Sequence, residues 1–222
     1  MKRWPDRIIN MAGLLLTVGW LATSSGCVDD EPTLPYATEV IAFEPGEGAG
    51  FGADEMPEVV LGPPDGRGTQ SGSLDVLSLG KGGEIVVGFG DRAIVNREGA
   101  DFVVFENPFW PGGDAEQVYA ELGEVSVSDD GDTWHTFACE YGVEDAPPYD
   151  DCAGWTPTLE YDAAEEIPLD PTRSGGDAFD LADVGLERAR YVRIRDVWGL
   201  GETPSRGFDL DAVGLIHHDA VH

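Results

Sequence analysis

Residues 124–137 read EVSVSDDGDTWHTF, and this stretch decides the fold class. Strand-forming residues lie on both sides of the run Asp129-Asp130-Gly131-Asp132. Acidic residues around a glycine favour a tight turn, because Asp side chains bond to the nearby backbone and Gly accepts a positive φ. The pattern therefore predicts a β-hairpin over 124–138.

Similar runs, rich in Val, Ile, Phe, Tyr and Trp and separated by Gly, Pro, Asp or Asn, recur along the chain. They predict strands at 38–43, 57–61, 74–79, 83–89, 101–105, 117–128, 133–138, 190–195 and 208–216. About nine short strands joined by turns indicate a single all-β domain over 38–217, an antiparallel β-sandwich of the jelly-roll type with minimal helix. The one helical candidate is 178–188, and residues 218–222 are expected to form a tail.

The composition fits that class and excludes others. The 222 residues include 30 Gly and 15 Pro, which favour many turns. The chain holds 43 acidic and 13 basic residues, for a net charge of −30. Such a chain lacks the clustered bases that nucleic acids require, and anionic lipid surfaces would repel it. Because acids are so common here, a pair of carboxylates is weak evidence for a site.

The N-terminal segment has the layout of a secretory signal peptide. A basic start, MKRWPDR, precedes an apolar run and then small residues that end at Cys27. The sequence SSGC at 24–27 resembles a bacterial lipobox, although Ser24 stands where that motif usually has Leu, Val or Ile. We therefore expect residues 1–26 to be a lipoprotein-type signal peptide, Cys27 to be lipidated and 27–37 to be a flexible tether. The alternative is an ordinary signal peptide with an incidental cysteine.

The other two cysteines, Cys139 and Cys152, bracket a polar loop containing two prolines. An exported protein can keep a disulfide, so we expect these two residues to be bonded. A zinc site is the competing interpretation. It needs about four closely spaced ligands, and the chain has four histidines and no C-x-x-C motif. The disulfide is therefore favoured.

Four segments carry a resemblance to known proteins: SLGKGGEIVVGF, EVSVSDDGDTWHTF, ARYVRIRDVWG and GFDLDAVGLI. They resemble successive strands of galactose-binding-like (discoidin-like) β-sandwich modules. With GGDAFDLADV, the range 57–217 also resembles exported bacterial cell-surface proteins that have no assigned chemistry. The resemblance implies a non-catalytic module that binds a glycan or another surface ligand, often with a structural calcium ion.

The hairpin also nearly matches the Asp-box, S-x-D-x-G-x-T-W, with Val127 in place of the leading serine. The Asp-box is a structural hairpin in the proteins that carry it. The near match therefore does not imply sialidase chemistry.

Calcium is the expected cofactor, because Ca²⁺ takes six to eight oxygen ligands, mostly from carboxylates and carbonyls in loops. Candidate ligands lie near the ends of predicted strands: Glu106, Asn107, Asp177, Asp180, Asp209 and Asp211. Asp209 and Asp211 fall on one face of a strand, with Phe208, Leu210 and Ala212 on the other. No EF-hand loop is present. The competing interpretation is that these acids are solvated or cap turns.

Aromatic residues in loops are the candidates for ligand contact. Trp110 follows Phe109 in a Pro- and Gly-rich loop, Trp155 follows Cys152, and Trp198 lies in a loop that also holds Arg206. Tryptophans in such positions often only anchor the loop.

Catalytic motifs are missing: the sequence has no G-x-S-x-G, no H-E-x-x-H and no P-loop. We expect an exported protein, anchored by lipid to the outer membrane or cell surface, that binds a glycan or surface polymer and is not an enzyme. One alternative is a structural or assembly component of the envelope that makes protein contacts. A hydrolase is a further alternative, since the many acids could supply a carboxylate pair. The arginines of 188–195 are expected to pair with acids on an exposed sheet face.

Overall fold

A computed structural model describes residues 34–141, 149, 151–163, 168–197 and 207–221. Over these residues the chain forms thirteen strands in four antiparallel sheets, with one short α-helix and four 3₁₀ turns. The prediction of an all-β antiparallel sandwich is confirmed. In the described part of the chain no helix is long and apolar enough to cross a membrane.

The strands are short and follow one another closely along the chain. Their bounds are β1 Glu39–Glu44, β2 Leu77–Ser78, β3 Glu84–Gly88, β4 Arg92–Val95, β5 Phe102–Phe105, β6 Gly123–Ser128, β7 His135–Thr136, β8 Asp177–Phe179, β9 Arg188–Ala189, β10 Tyr191–Asp196, β11 Asp209–Leu210, β12 Ala212–Leu215 and β13 His218–Ala220. The helix α1 covers Pro171–Ser174, and the 3₁₀ turns cover Ala53–Glu55, Glu58–Val60, Pro111–Gly113 and Leu181–Val184.

The largest sheet has the strand order β1-β3-β10-β6-β7. Two three-stranded sheets have the orders β12-β5-β8 and β13-β4-β9, and β11 pairs with β2. Three phenylalanine rings meet in the core. Phe102 of β5 stacks on Phe179 of β8 in the same sheet at 5.3 Å, and Phe137, which follows β7 of the five-stranded sheet, lies 5.0 Å from Phe179. Burial of these apolar faces is the main force that holds the layers together.

The predicted hairpin is confirmed, because β6 and β7 pair with Ser126 opposite Thr136 and Val127 opposite His135. Asp130 holds the turn, and its Oδ1 accepts hydrogen bonds from the backbone N–H groups of Asp132 at 2.8 Å and Thr133 at 2.7 Å. These bonds favour the ionised carboxylate and lower the pKa of Asp130 to about 2.

The outer face of the five-stranded sheet carries the arginines of β10. Arg195 pairs with Glu124 of the neighbouring strand at 2.7 Å. The guanidinium of Arg193 lies over the Trp134 ring at 4.4 Å from its centre. Exposed pairs of this kind contribute little to stability. The arginines therefore pair with acids and an aromatic ring on a solvated face, as the sequence indicated.

Several predicted elements need correction. The segment 57–61 forms a 3₁₀ turn rather than a strand, and that turn buries the two apolar side chains Val59 and Val60. The helical candidate 178–188 is also wrong: β8 begins the segment, and a 3₁₀ turn follows because Asp180 caps the N–H of Ala182. Of the predicted strand 117–128, only the second half forms β6.

The sequence analysis missed four strands: β4, β8, β9 and β13. β13 lies within 218–222, the segment expected to be a tail, and it pairs with β4. These short strands form because they pair with strands from distant parts of the chain. Local residue preferences do not reveal such pairing.

The expected disulfide joins Cys139 to Cys152, with 4.7 Å between their Cα atoms. Ala153, next to Cys152, forms a backbone bridge with Gly123 at the start of β6. The disulfide thus fixes the segment that follows it against the five-stranded sheet.

Candidate metal centre

Three carboxylates from distant parts of the chain meet at one end of the sandwich. Glu106 directly follows β5, Asp209 opens β11, and Glu121 lies two residues before β6. One carboxylate oxygen of each lies within 4.8 Å of one from each of the others. The pairing of β12 with β5 causes this meeting, since Ala212 lies opposite Phe105 and places Asp209 near Glu106.

The cluster has too few hydrogen-bond donors. Glu106 Oε1 accepts the backbone N–H of Asp209 at 3.4 Å, and Glu121 Oε1 accepts that of Gly207 at 3.2 Å. Glu106 Oε2 is buried and has no hydrogen-bond partner. Asp209 Oδ1 is buried without a well-aligned partner, although the side chains of Ser78 and Asn107 lie close enough to lower the pKa of Asp209. Within the described ranges no salt bridge reaches any of the three carboxylates. Buried acceptors without partners are costly, so this place calls for a positive charge.

The pKa values of all three carboxyl groups in the cluster are raised. Burial raises the pKa of Glu106 well above its ordinary value, and the charges of Asp209 and Glu121 raise it further. Burial and the Asp209 charge raise the pKa of Glu121 to about 8. Burial raises the pKa of Asp209 to about 6, and the Asp196 charge adds to the rise, whereas the side chains of Ser78 and Asn107 act in the opposite direction. Like charges in a desolvated place oppose ionisation, and a cation would reverse all three shifts.

Neighbouring residues hold the cluster in position. Buried Asp196 accepts the backbone N–H of Gly82 at 2.8 Å and that of Phe208 at 2.9 Å, which fixes the residue before Asp209. Gly154 packs directly on the carbonyl oxygen of Glu121 with a φ of +88°, so a side chain at this position would clash. The position of Asp209 thus depends on the hydrogen bonds to Asp196, and that of Glu121 on the close contact with Gly154.

A cavity of about 440 Å³ opens beside the cluster, and Glu121 and Asp209 line it. Phe109 and Tyr119 line the same cavity and stack on each other with ring centres 5.2 Å apart. The other lining residues are Phe51, Gly72, Ser73, Leu74, Val76, Ser78 and Asn107. The cavity therefore combines carboxylates, small polar groups and an aromatic wall.

Of the six predicted calcium ligands, Glu106 and Asp209 belong to the cluster, and Asn107 lines the adjoining cavity beside them. The Asn107 amide donates to the Ser73 carbonyl oxygen at 2.9 Å, which positions it there. Glu106, Asn107 and Asp209 therefore lie close together at one end of the sandwich.

Asp177 is buried for a different reason. Its Oδ2 accepts the backbone N–H groups of Gly154 at 2.7 Å and Trp155 at 3.0 Å, and its Oδ1 accepts that of Thr156 at 3.0 Å. Burial raises its pKa to about 7, and these donors act in the opposite direction. Asp177 thus organises the segment after the disulfide.

Asp180 and Asp211 lie outside the cluster. Asp180 caps the 3₁₀ turn Leu181–Val184 through the N–H of Ala182 at 2.8 Å. Asp211 Oδ1 accepts the backbone N–H of Asp65 at 3.1 Å, and its Oδ2 is buried without a hydrogen-bond partner. Burial raises the pKa of Asp211 to about 8, with contributions from the charges of Asp75 and Asp65.

The aromatic residues predicted to contact a ligand do not share one cavity. Phe109, and not its neighbour Trp110, lines the cavity at the cluster; Trp110 instead donates its backbone N–H to Thr69. Trp155 lines a second cavity of about 250 Å³, where its ring meets that of Tyr149 edge-on at 5.2 Å. Cys27, Trp198 and Arg206 lie outside the described residues.

Glu121 is the cluster residue that sequence reasoning missed. It stands between Ala120 and Leu122, both buried. An acid isolated within an apolar run is a signal of a buried role, since charged side chains are rarely placed there without a partner. Its position inside the predicted strand 117–128 concealed this signal.

No protein-family model matches the chain, and no curated protein matches it.

Proposed function

We propose that this protein is a non-catalytic binding module of the bacterial cell envelope. It holds a calcium ion at Glu106, Glu121 and Asp209 and binds a glycan or other surface ligand in the adjoining cavity. The single observation that carries the proposal is the cluster of three carboxylates, with two buried oxygens that lack well-aligned partners, on one side of the aromatic-walled cavity.

The residues present fit a calcium ion. All three donors are carboxylates, the ligand type that hard divalent cations prefer, and they come from three separate segments, as in many loop-built sites. The two oxygens without well-aligned partners, Glu106 Oε2 and Asp209 Oδ1, would gain the positive charge that the described protein does not supply. When bound, the ion supplies charge neutralisation and cross-links the three segments.

The cavity fits a polar molecule with an apolar face. Pockets for small ligands combine hydrophobic and aromatic walls with a few polar groups that fix orientation. Phe109 and Tyr119 provide the stacked wall, and Phe51 is half exposed at its edge. Ser73 and Asn107 add polar groups. This combination supports a sugar ring as the ligand.

The export and anchoring of the protein are proposed on the sequence of residues 1–37. A signal peptide ending before a lipidated Cys27 would place the sandwich outside the cytoplasm on a tether. The Cys139–Cys152 disulfide supports an oxidising location. The charge of −30 argues against nucleic acid as a partner. The resemblance to galactose-binding-like modules belongs to this proposal.

Calorimetric titration with CaCl₂ at pH 8, followed by a glycan array with calcium or chelator, tests the proposal. We expect one ion to bind the wild type and glycan binding to require calcium. Glu121→Gln is expected to weaken calcium binding by about tenfold or more, since each ligand contributes strongly to affinity. Asp180→Asn removes the same charge away from the cluster and is the matched control. No heat of calcium binding, or equal loss in both variants, would refute the metal site.

A glycoside hydrolase is the second candidate, and a specific observation favours it. Glu121 and Asp209 are close carboxylates in a cavity, and both have raised pKa values. Retaining glycosidases use carboxyl groups about 5 Å apart, one of them protonated. Glu106 makes the metal interpretation stronger, because a third buried carboxylate has no task in that mechanism. Release of nitrophenol from aryl glycosides, abolished in Asp209→Asn, would support the hydrolase instead.

A structural role through protein contacts is less well supported. Of the four large apolar residues that are exposed in the described ranges, Phe51 and Leu74 line the cavity, whereas Ile41 and Tyr141 do not. Flat apolar patches favour protein partners, whereas concave ones favour small ligands.

A further inference from the structure

We infer that the calcium ion is not only structural: its coordination shell is open towards the cavity, and hydroxyl groups of a neutral sugar complete it. This inference rests on the proposed function and specifies how the ligand binds and which sugars qualify.

The carboxylate cluster is asymmetric, with one buried side and one side that faces the cavity. Glu106 is 1% exposed and forms the closed back of the site. Glu121 and Asp209 are half-buried, and both line the cavity of about 440 Å³. An ion held by these three side chains therefore has protein on one side and the cavity on the other.

A calcium ion needs more ligands than one oxygen from each of three carboxylates. Calcium takes six to eight oxygens, and a site closed entirely by protein usually adds several backbone carbonyls to its carboxylates. Here Glu106 Oε1 and Glu121 Oε1 already accept backbone hydrogen bonds, and the buried oxygens without well-aligned partners are Glu106 Oε2, Asp209 Oδ1 and the nearby Ser78 Oγ. Because Glu121 and Asp209 line the cavity, an ion held by them is open on that side to water or to groups of a bound molecule.

The net charge of the occupied site selects the kind of ligand. Three carboxylates exceed the charge of one divalent ion, so the occupied site stays negative, and an anionic ligand gains little there. Asp196 lies near enough to raise the pKa of both Glu121 and Asp209, which adds to the negative field. Neutral hydroxyl oxygens avoid this repulsion and are good calcium ligands.

Two aromatic rings form the apolar wall of the cavity. The rings of Phe109 and Tyr119 are stacked with ring planes 27° apart, and both line the same cavity as Glu121. A sugar with adjacent hydroxyls directed at the ion can lay an apolar ring face against this wall. The ligand class is therefore a neutral hexose unit with a vicinal diol.

Terbium luminescence on the purified exported domain with its disulfide intact tests the inference. Tb³⁺ replaces Ca²⁺, and its lifetimes in H₂O and D₂O count the waters on the ion. We expect about two or more waters on the loaded wild type, because an open shell leaves that many positions of the six to eight unfilled by protein. Saturation with D-galactose, D-mannose or D-glucose, each tested separately, is expected to remove about two of them.

Two variants and one matched ligand pair sharpen the test. Phe109→Ala is expected to leave terbium binding and the water count unchanged but to weaken hexose binding about fivefold, the usual size of an aromatic contact. Asp180→Asn is expected to change neither. D-Glucuronate is expected to bind more weakly than D-glucose, and tighter binding of the acid would overturn the choice of a neutral sugar.

The outcomes separate this inference from the proposed function. A loaded ion with no bound water, or a hexose that binds without displacing water, refutes the open shell and leaves calcium-stabilised binding intact. Failure of every hexose to displace water at millimolar concentration refutes the sugar class. Failure of terbium and calcium to bind at all refutes the proposed metal site itself.

Discussion

Asp177 and Glu106 are two buried acids at the same end of one sheet, and they differ in what surrounds them. Asp177 lies in β8 opposite Val104 of β5, and Glu106 follows β5 two residues later. Three backbone N–H groups donate to Asp177. One, at 3.4 Å, donates to Glu106, whose second oxygen has no partner.

The contrast shows that burial alone does not identify a binding carboxylate. A buried acid whose oxygens are saturated by backbone donors stabilises a loop, whereas one with an orphaned oxygen is stable only with a proton or a cation. Asp211 also has an orphaned oxygen, but it lies outside the cluster of three carboxylates, so its raised pKa of about 8 indicates a proton there. We therefore propose a folding role for Asp177 and a ligand-binding role for the cluster of Glu106, Glu121 and Asp209.

The largest effect is expected for Asp177→Ala. The variant leaves the N–H groups of Gly154, Trp155 and Thr156 without their acceptor, and unsatisfied buried donors cost about 1–3 kcal/mol each. We expect the free energy of unfolding to fall by about 3–5 kcal/mol in urea titrations. The loss should be the same in calcium and in chelator. A loss that calcium removes would place Asp177 in the metal site and contradict its folding role.

A smaller effect is expected from pH on the metal-free protein. Unfolded Glu and Asp carboxyls titrate near 4.5 and 3.8, whereas the folded pKa values of Glu121 and Asp209 are about 8 and about 6. The folded state thus binds more protons between those values, so the free energy of unfolding falls as pH rises from about 4 to 8. The two shifts correspond to a loss of about 5 kcal/mol from pH 5 to pH 8 in chelator. Solvent screening of these half-buried groups reduces the expected loss to roughly 2–3 kcal/mol.

Calcium should flatten that pH dependence without removing it. The ion holds the three cluster carboxylates ionised, but Asp177 and Asp211 keep their raised pKa values and still contribute. Denaturant titrations at pH 5 and pH 8, each with calcium and with chelator, give the four values needed. An equal slope in both solutions would mean that the cluster does not bind the ion.

The smallest effect is expected for Glu121→Gln in chelator at pH 8. The amide keeps an acceptor for Gly207 and removes one of three repelling charges, so the metal-free variant should gain about 1 kcal/mol after solvent screening. Chemical unfolding measures this gain, with Asp180→Asn as the control that should show none. A clear loss of stability would mean that Glu121 has a structural role like that of Asp177.

Much of the fold could be predicted from local pattern. Val, Ile and Phe runs marked the central strands, and the turn at Asp129–Asp132 marked the hairpin. β8 was missed because Ala178, Leu181 and Val184 also have helical spacing, and pairing with β5 outweighs that local preference.

The site was only partly predictable. Glu106, Asn107 and Asp209 stand at strand ends and were candidates for that reason. Asp177 and Asp180 had the same signal, because the sequence does not show which backbone amides will reach a carboxylate after folding. Glu121 was missed because its partners come from β5 and β11, more than a dozen residues away in the chain.

Thermal melting of the protein at pH 8, in excess calcium and in chelator, tests the central claim most directly. Binding of one ion at a hundredfold excess over its dissociation constant adds about 2.7 kcal/mol. For a domain of this size the melting temperature should then rise by about 5–10 °C. The rise should disappear in Glu106→Gln and persist in Asp180→Asn. Identical melting curves in calcium and chelator would contradict the assignment of Glu106, Glu121 and Asp209 to a calcium site.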